Sequence, residues 1–234
     1  MRPHCGIARR ALLVCAWIAV AWSRSIAPAA AADPTAAPTG GASVLGTSVG
    51  APQEVIGELS SRLFAALGRT PAADRHNTDK LLPLIDRLLL PHFDTEYTAR
   101  LALGQHWPAA TSDQRQHFAT AFYQRLLRTY VGAVSDWTPE RFKLLPQRSD
   151  AAALQVIVHT QVTNPAGVIV PVDYRLRQTT DGWKIFDVIV EGVSYVRSYH
   201  DDIDADVSRN GLNATIARLE RHDTASSAHE RSTN

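Results

Sequence analysis

Ser194 is the residue of this sequence whose type and position come nearest to those of a catalytic nucleophile. It follows an apolar, strand-like run in the segment Gly192-Val193-Ser194-Tyr195-Val196. A nucleophile elbow requires the pattern Gly-x-Ser-x-Gly, because its strained turn needs small residues on both sides of the serine. Here the bulky Val196 replaces the second glycine. We therefore predict that Ser194 caps the following helix, where its hydroxyl oxygen accepts a hydrogen bond from a backbone N–H group.

A second candidate for chemistry is an acidic run whose aspartates alternate like the ligands of a calcium loop. Asp202, Asp204 and Asp206 have that spacing, but Val207 stands where the loop requires glycine. Asn213 stands where the loop requires a bidentate glutamate. The nine histidines form no His-Glu-x-x-His motif. We therefore predict no metal site and interpret the run as the solvated face of a helix.

Two further titratable residues lie beside predicted strands. Glu191 separates Val190 from Gly192, so we expect a partly buried carboxylate that accepts N–H groups at the start of the following helix. His159 alternates with apolar neighbours and is expected to be exposed on the polar face of its strand. No catalytic residue is assigned.

The helices that position these residues follow from apolar side chains spaced three and four residues apart. This spacing predicts helices over residues 52–68, 82–90 and 95–103, the last of them stopping at Gly104. In the longest predicted helix, Thr111 and Gln114 have the spacing of a capping box. Its apolar face repeats every four residues: Phe118, Phe122, Leu126, Tyr130 and Val134.

After Pro139 the apolar pattern changes to the two-residue period of β-strands. Strands are predicted over residues 141–146, 153–162, 167–178 and 182–190. Pro171 predicts a bulge or a sheet edge in the third strand. The fourth strand is apolar on both faces (Ile185 and Ile189 opposite Phe186, Val188 and Val190), so it should be central or covered on both sides. Helices return after it, which predicts an α+β domain with helices packed on a mostly antiparallel sheet.

The N-terminal residues have the composition of a secretory signal peptide. Arg2, Arg9 and Arg10 precede a twelve-residue apolar run, and alanines follow it. The run is too short to span a bilayer, and we predict cleavage near Ala32 and a periplasmic location. Four segments are therefore expected: a signal peptide (1–32), a flexible linker (33–51), an α+β domain (52–221) and a disordered tail (222–234).

Charge and cysteine content exclude several classes of function for the exported chain. Of 24 basic residues, four arginines lie in residues 1–32, which leaves 20 against 23 acidic residues and a net charge of −3. A mildly acidic domain gives no basis for nucleic-acid binding. Both cysteines, Cys5 and Cys15, lie in the predicted signal peptide, so we expect no disulfide, thiol catalysis or cysteine-ligated metal.

The remaining candidate site is apolar. The face of the longest helix that bears Phe118 is predicted to lie opposite the inward residues of the strands, which are Val156, Val158, Val170, Val172 and Tyr174. Two interpretations fit this arrangement: a filled core, or an unclosed cavity for an apolar ligand. Periodicity alone does not separate them.

Several motifs follow one another along the chain in a fixed order. Residues 101–134 contain the pattern L-x-L-G-x-x-x-x-x-x-T-x-x-Q-R-x-x-F-x-x-x-F-x-x-x-L-x-x-x-Y. This pattern resembles that of the MlaC / toluene-tolerance family of periplasmic phospholipid-binding proteins. The segment DVIVEGVS (187–194), followed by a helix, a glycine and LNATIARL, resembles its C-terminal signature. LLPHFD (89–94) and DGWKIFDV also fit, and the resemblance covers about residues 53–220.

The resemblance implies a helical layer on a strongly curved sheet, enclosing a deep apolar pocket for the acyl chains of a phospholipid. It implies bound cargo rather than a cofactor. It also implies two partners, an inner-membrane ABC transporter with an MCE-domain protein and an outer-membrane lipoprotein complex. Tyr130 matches the tyrosine of the family's L-x-x-x-Y helix, and Val193 matches the valine after its Glu-Gly joint. Val172 and Tyr174 match the hairpin positions that face the lipid in the family. With the facing helix and strands, the predicted lipid-binding set is Phe118, Phe122, Leu126, Tyr130, Val156, Val158, Val170, Val172, Tyr174, Val188 and Val193.

Three other functions stay open from the sequence. The chain could carry another hydrophobic molecule, such as a hopanoid. It could be a serine hydrolase that uses Ser194, or an adaptor domain with a filled core. The function expected from the resemblance is a periplasmic phospholipid shuttle that maintains outer-membrane lipid asymmetry.

Overall fold

A computed structural model of the chain describes residues 51–135, 137–146 and 153–231. The predicted signal peptide, the linker up to residue 50 and the last three residues of the predicted tail lie outside these ranges. Six α-helices are described: α1 Pro52–Arg69, α2 Thr78–Leu89, α3 Thr95–Leu103, α4 Ser112–Val134, α5 Tyr195–Asn210 and α6 Leu212–Arg231. Helix α6 continues ten residues beyond the predicted domain end at residue 221. None of the described helices is long and apolar enough to cross a membrane.

The end of α3 and the starts of α4 and α5 lie where polar residues and glycines of the sequence predict them, whereas α2 begins four residues before its predicted start. Thr111 and Gln114 form the predicted capping box of α4: the Gln114 N–H donates to the Thr111 hydroxyl at 3.2 Å, and the Thr111 N–H donates to the Gln114 side chain at 3.0 Å. Helix α3 stops at Gly104, whose φ of 54° is accessible mainly to glycine. Ser194 caps α5, since its hydroxyl oxygen accepts the Arg197 N–H at 3.1 Å. The capping role predicted for Ser194 is confirmed.

The strands form one curved, unclosed five-stranded sheet in the order β1-β2-β3-β4-β5. Their bounds are β1 Phe142–Leu144, β2 Gln155–Thr163, β3 Ile169–Thr179, β4 Gly182–Val190 and β5 Val193–Ser194. Every neighbouring pair is antiparallel. The predicted α+β class, with helices packed on a curved antiparallel sheet, is confirmed.

The bulge expected at Pro171 lies elsewhere. Pro171 pairs with Gln161 of β2, and its carbonyl accepts the Glu191 N–H at 3.1 Å, just beyond the end of the β3–β4 register. The bulge is in β4, where the register with β3 shifts at Phe186. Proline is tolerated at this position because it lacks only the backbone N–H group, while its carbonyl still accepts a hydrogen bond.

The bulge changes which residues of β4 share a face. The register pairs Ile185 with Leu176, Val188 with Tyr174 and Val190 with Val172. Ile185, Val188 and Val190 therefore lie on one face, and the predicted alternation, with Ile185 opposite Val188 and Val190, is wrong. One extra residue in a strand reverses its side-chain parity. We call this side of the sheet the tyrosine face, after Tyr174.

The opposite side, which we call the arginine face, bears Arg175 and Arg177 of β3 and their neighbours on β2 and β4. It contacts α3: the Tyr97 ring packs edge-on against Phe186 at 5.1 Å, and the Thr98 hydroxyl donates to the Phe186 carbonyl. Arg177 pairs with Asp94 at the start of α3 and lies over the Tyr97 ring. Helices therefore cover both sides of β4, as its apolar sequence predicts.

The long helix α4 divides its apolar side chains between two clusters, neither of which includes the sheet. Phe118 and Phe122 pack with α3, α5 and α6. Tyr123, Leu127 and Val131 pack with α1 and α2. A third cluster joins α1 to the tyrosine face of the sheet through Ile56, Leu59, Val158, Leu176 and Ile185. The prediction that the Phe118 face of α4 lies opposite the strands is therefore wrong for Phe118 and Phe122.

Candidate functional site

Four half-buried tyrosines from three separate elements meet beside the tyrosine face of the sheet. Tyr130 lies in the last turns of α4, Tyr174 in the middle of β3, and Tyr195 and Tyr199 in the first turns of α5. The rings of Tyr130 and Tyr195 stack at 3.9 Å with an angle of 8° between their planes. The Tyr199 ring packs edge-on against Phe122 at 5.6 Å. We call these four residues the tyrosine cluster.

The phenol groups of the cluster lie in a poorly hydrated environment. Burial is the main reason why the pKa of Tyr130 lies well above its ordinary value, and the neighbouring Tyr199 and Tyr195 raise it further. Burial also raises the pKa of Tyr174, again with Tyr195 as a neighbour. Loss of hydration disfavours the charged phenolate. The site is therefore a place of low polarity that still holds hydrogen-bonding hydroxyl groups.

Small polar and aliphatic side chains of the sheet adjoin the tyrosine cluster. The buried Thr160 hydroxyl donates to the Val172 carbonyl at 2.6 Å, so its polar group is satisfied. Val172 is buried next to Tyr174 along the same face, and Val188 pairs with Tyr174 from β4. Val193 pairs with Val190 and is 47% exposed at the end of this face. The part of the tyrosine face beside the cluster is therefore mostly aliphatic.

A buried carboxylate fixes the backbone from which Tyr195 projects. Asp187 of β4 is 1% exposed. It accepts the Ser194 hydroxyl at 2.6 Å and the Val196 N–H at 3.2 Å, the residues on either side of Tyr195. Arg175 lies 3.6 Å from the same carboxylate. Both hydroxyl interactions of Ser194 are thus structural, and neither of its described partners is a histidine.

The acid expected to cap α5 was assigned to the wrong residue. Glu191 is exposed, with a positive φ of 51° in the tight turn between β4 and β5. Asp187 takes the role instead, because strand pairing brings β4 alongside the first turn of α5. A negative charge at a helix N-terminus is favourable there, since it faces unpaired N–H groups.

The acidic run of α5 is divided among separate partners. Asp206 pairs with Arg218 of α6, and Asp204 accepts hydrogen bonds from Gln105 and His106. The Gln105 hydrogen bond is the main reason why the pKa of Asp204 lies below its ordinary value, and His106 adds to the effect. Among the described residues no group of three or more His, Cys, Asp or Glu side chains could hold a metal ion. His159 is exposed, as predicted, and pairs with Asp173 at 2.9 Å.

Comparison with known proteins identifies the family. The profile of the MlaC protein family matches residues 58–221, most of the described domain. The chain belongs to the MlaC family. The toluene tolerance protein ttg2D of Pseudomonas putida is 24% identical over 168 residues, which cover 70% of this chain and 78% of that protein. The intermembrane phospholipid transport system binding protein MlaC of Haemophilus influenzae is 17% identical over 173 residues, covering 73% and 81%.

A solved structure of a similar protein matches the fold. It is a phospholipid-binding protein from Ralstonia solanacearum, determined in complex with a phospholipid at 1.53 Å resolution. The two structures superpose with a TM-score of 0.67 at 26% sequence identity, covering 74% of this chain and 97% of the Ralstonia chain. The family expected from the sequence motifs is confirmed.

The structure brings together only part of the predicted site of this MlaC family member. Tyr130 and Tyr174 belong to the tyrosine cluster, with Val172, Val188 and Val193 beside it. Leu126 packs partly buried against the helical core. Val156 and Val158 lie further along the tyrosine face, with α1, and half-buried Val170 lies near the β2–β3 turn. Phe118 and Phe122 are 0% and 1% exposed, so in this structure they are core side chains rather than a cavity wall.

Four residues that the sequence interpretation missed complete the site: Tyr195, Tyr199, Thr160 and Asp187. The i, i+4 spacing of Tyr195 and Tyr199 places both rings on one helix face, a signal that was present in the sequence. Asp187, flanked by Phe186 and Val188 in a strand covered on both sides, was also recognisable as a buried acid. Two surface clefts, of about 250 Å³ beside His117 and about 180 Å³ beside Arg100, lie away from the cluster. The predicted apolar pocket itself stays a prediction.

Proposed function

We propose that this protein is a periplasmic carrier that binds a phospholipid at the tyrosine cluster and moves it between membranes. The observation that supports this most directly is the match over 97% of the length of the Ralstonia protein, which was determined with a phospholipid bound. The names of the Pseudomonas and Haemophilus relatives, toluene tolerance and intermembrane phospholipid transport, agree with it. Cargo, rather than a cofactor, is what the site would hold.

The chemistry of the cluster suits acyl chains. Each methylene buried away from water contributes about 0.8 kcal/mol, so a lipid leaves a bilayer only for a site that is equally apolar. Val172, Val188 and Val193 supply aliphatic surface, and the stacked rings of Tyr130 and Tyr195 supply flat apolar faces. We propose that the acyl chains enter between α4 and the sheet, and that the polar head group remains near exposed Val193.

The partners and the cellular role of the carrier are proposed from the resemblance of the sequence motifs. The carrier would exchange lipid with an inner-membrane ABC transporter that has an MCE-domain subunit and with an outer-membrane lipoprotein complex. Such exchange would maintain outer-membrane lipid asymmetry. No catalytic step is proposed, because the hydroxyl of Ser194 is engaged with Asp187 and the start of α5.

The decisive experiment identifies whatever lipid co-purifies with the protein. The full chain is expressed in a Gram-negative host, purified from the periplasm, extracted with organic solvent and examined by mass spectrometry. We expect about one phospholipid per chain, and loss of most of it in Tyr130→Glu or Val172→Asp, because a buried charge in an apolar site is strongly unfavourable. Leu154→Asp is the control, since Leu154 lies just before β2 and is 74% exposed.

The outcomes separate the possible functions. Recovery of a hopanoid or another neutral lipid would replace phospholipid as the cargo. Absence of any amphiphile from the wild-type protein, together with no change in its melting temperature on adding phospholipid, would refute the carrier function and favour an adaptor with a filled core. Circular dichroism of each variant shows whether lost lipid reflects lost folding.

A further inference from the structure

Asp187 is a buried acid whose side chain lies on the opposite side of the sheet from the tyrosine cluster. It lies in β4 on the arginine face, paired with Arg175 and opposite in direction to Val188, which faces the tyrosine cluster. Its carboxylate divides its contacts between two oxygens: Oδ2 accepts the Ser194 hydroxyl, and Oδ1 accepts the Val196 N–H. A fully buried carboxylate is unfavourable unless such partners satisfy it.

The two partners of Asp187 flank the residue that closes the tyrosine cluster. Ser194 and Val196 immediately precede and follow Tyr195, the first residue of α5. The Tyr195 ring stacks on Tyr130 and lies close to Tyr174, so it joins α4 to the sheet. Because the backbone is held on both sides of Tyr195, the direction of its side chain depends on the Asp187 contacts.

We propose that Asp187 is a positioning residue for cargo: it holds Tyr195 against Tyr130 across the apolar site and thereby slows release of the bound lipid. Asp187 acts from the opposite face of the sheet, without touching the cargo. The Arg175 guanidinium lies 3.6 Å from Oδ2 of the same carboxylate. This inference rests on the proposed phospholipid-carrier function and adds the element that sets how long the cargo stays bound.

The test measures the rate at which the purified, lipid-loaded protein transfers a fluorescent phospholipid to acceptor vesicles of zwitterionic lipid. Asp187→Asn keeps the shape but leaves one acceptor oxygen for two donors, and we expect about tenfold faster release, since the lost hydrogen bonds involve a charged group. Ser194→Ala removes one of the two hydrogen bonds to Asp187, together with the hydroxyl that caps α5, and should give a smaller increase, of about threefold. If Asp187→Asn does not fold, Ser194→Ala provides the test.

The matched control is Asp206→Asn. Asp206 is a largely buried acid of α5, the helix that begins at Tyr195; it pairs with Arg218 of α6 and lies far along α5 from Tyr195. It should lower stability without changing the release rate. An equal acceleration in Asp206→Asn would show that general loosening of α5, and not the position of Tyr195, controls release.

A double substitution separates positioning from stability. If Asp187 acts through the Tyr195 ring, Asp187→Asn should no longer accelerate release in a Tyr195→Ala background, although it should still lower the melting temperature there. An undiminished acceleration in that background would overturn the inference. A wild-type protein that binds no phospholipid at all would instead refute the proposed function, so the two failures are distinguishable.

Discussion

Gly104 provides a quantitative test of how α3 and α5 are joined behind the site. Its backbone has φ 54° and ψ −122°, a conformation that residues with a Cβ rarely adopt. A Cβ added there would lie 2.3 Å from Cε1 of His200. The same His200 ring donates through Nδ1 to the carbonyl of buried Ala102 at 3.1 Å. Gly104→Ala therefore combines backbone strain with a collision against a ring that has a fixed partner.

The cost of Gly104→Ala can be estimated from these two effects. Backbone strain at such a conformation is worth about 1–3 kcal/mol, and forcing a methyl group into packed surroundings about 1–3 kcal/mol. We expect the free energy of unfolding to fall by about 4 kcal/mol, a large part of the roughly 5–15 kcal/mol typical of a domain. In a His200→Ala background the collision disappears but the strain remains, so the same substitution should cost about 2 kcal/mol.

Equilibrium urea unfolding of the four proteins, wild type, both single variants and the double variant, measures these values. The slope of the transition should stay constant if only the folded state changes. An equal cost of Gly104→Ala in both backgrounds would show that the ring of His200 is not what the methyl group meets. A cost below about 1 kcal/mol in the wild-type background would show that the backbone relaxes out of the strained conformation.

Two further predictions follow from burial. Phe122→Ala should lower the free energy of unfolding by about 3–5 kcal/mol, because its ring is 1% exposed and packs between Phe118 and Tyr199. Val193→Ala should lower it by less than about 1 kcal/mol, because Val193 is 47% exposed. Similar costs for the two substitutions would contradict the placement of Phe122 in the core and of Val193 at the surface. Folding favours the neutral forms of Tyr123, Tyr130 and Tyr174, because their pKa values are raised in the folded protein. Their contribution to the free energy of unfolding is therefore complete below the ordinary tyrosine pKa of 10 and decreases as the pH rises above it. Replacing Tyr130 and Tyr174 with phenylalanine should therefore move alkaline unfolding to higher pH. Phenol absorbance that shows every tyrosine of the folded protein ionising near pH 10 would contradict this prediction.

Local features were predictable because they depend on residues close together in the chain. The capping box of Thr111 and Gln114 and the Ser194 cap each need only a side chain and a backbone group a few residues away. The antiparallel meander followed from two-residue periodicity and the glycine turns between strands. The family was predictable for a related reason, since its motifs are short segments in a fixed order.

The composition of the site was predictable only in part, because its members come from distant segments. Periodicity showed that one face of α4 is apolar but not which neighbour covers it, so Phe118 and Phe122 were assigned to the sheet although they pack with α3, α5 and α6. The bulge at Phe186 could not be seen in the pattern of β4, because every residue from Phe186 to Val190 except Asp187 is apolar.

The sequence by itself determined the class of fold, the order of its main elements, some of their caps and the family to which the chain belongs. Only the tertiary structure decided that Tyr195 and Tyr199 join Tyr130 and Tyr174, and that Asp187 rather than Glu191 serves the start of α5. The physical reason is that a polar group can be buried only where its hydrogen-bond partners lie in the folded chain. The partners of Asp187 are Ser194 and Val196, whose backbone returns to β4 only after the turn at Gly192 is formed.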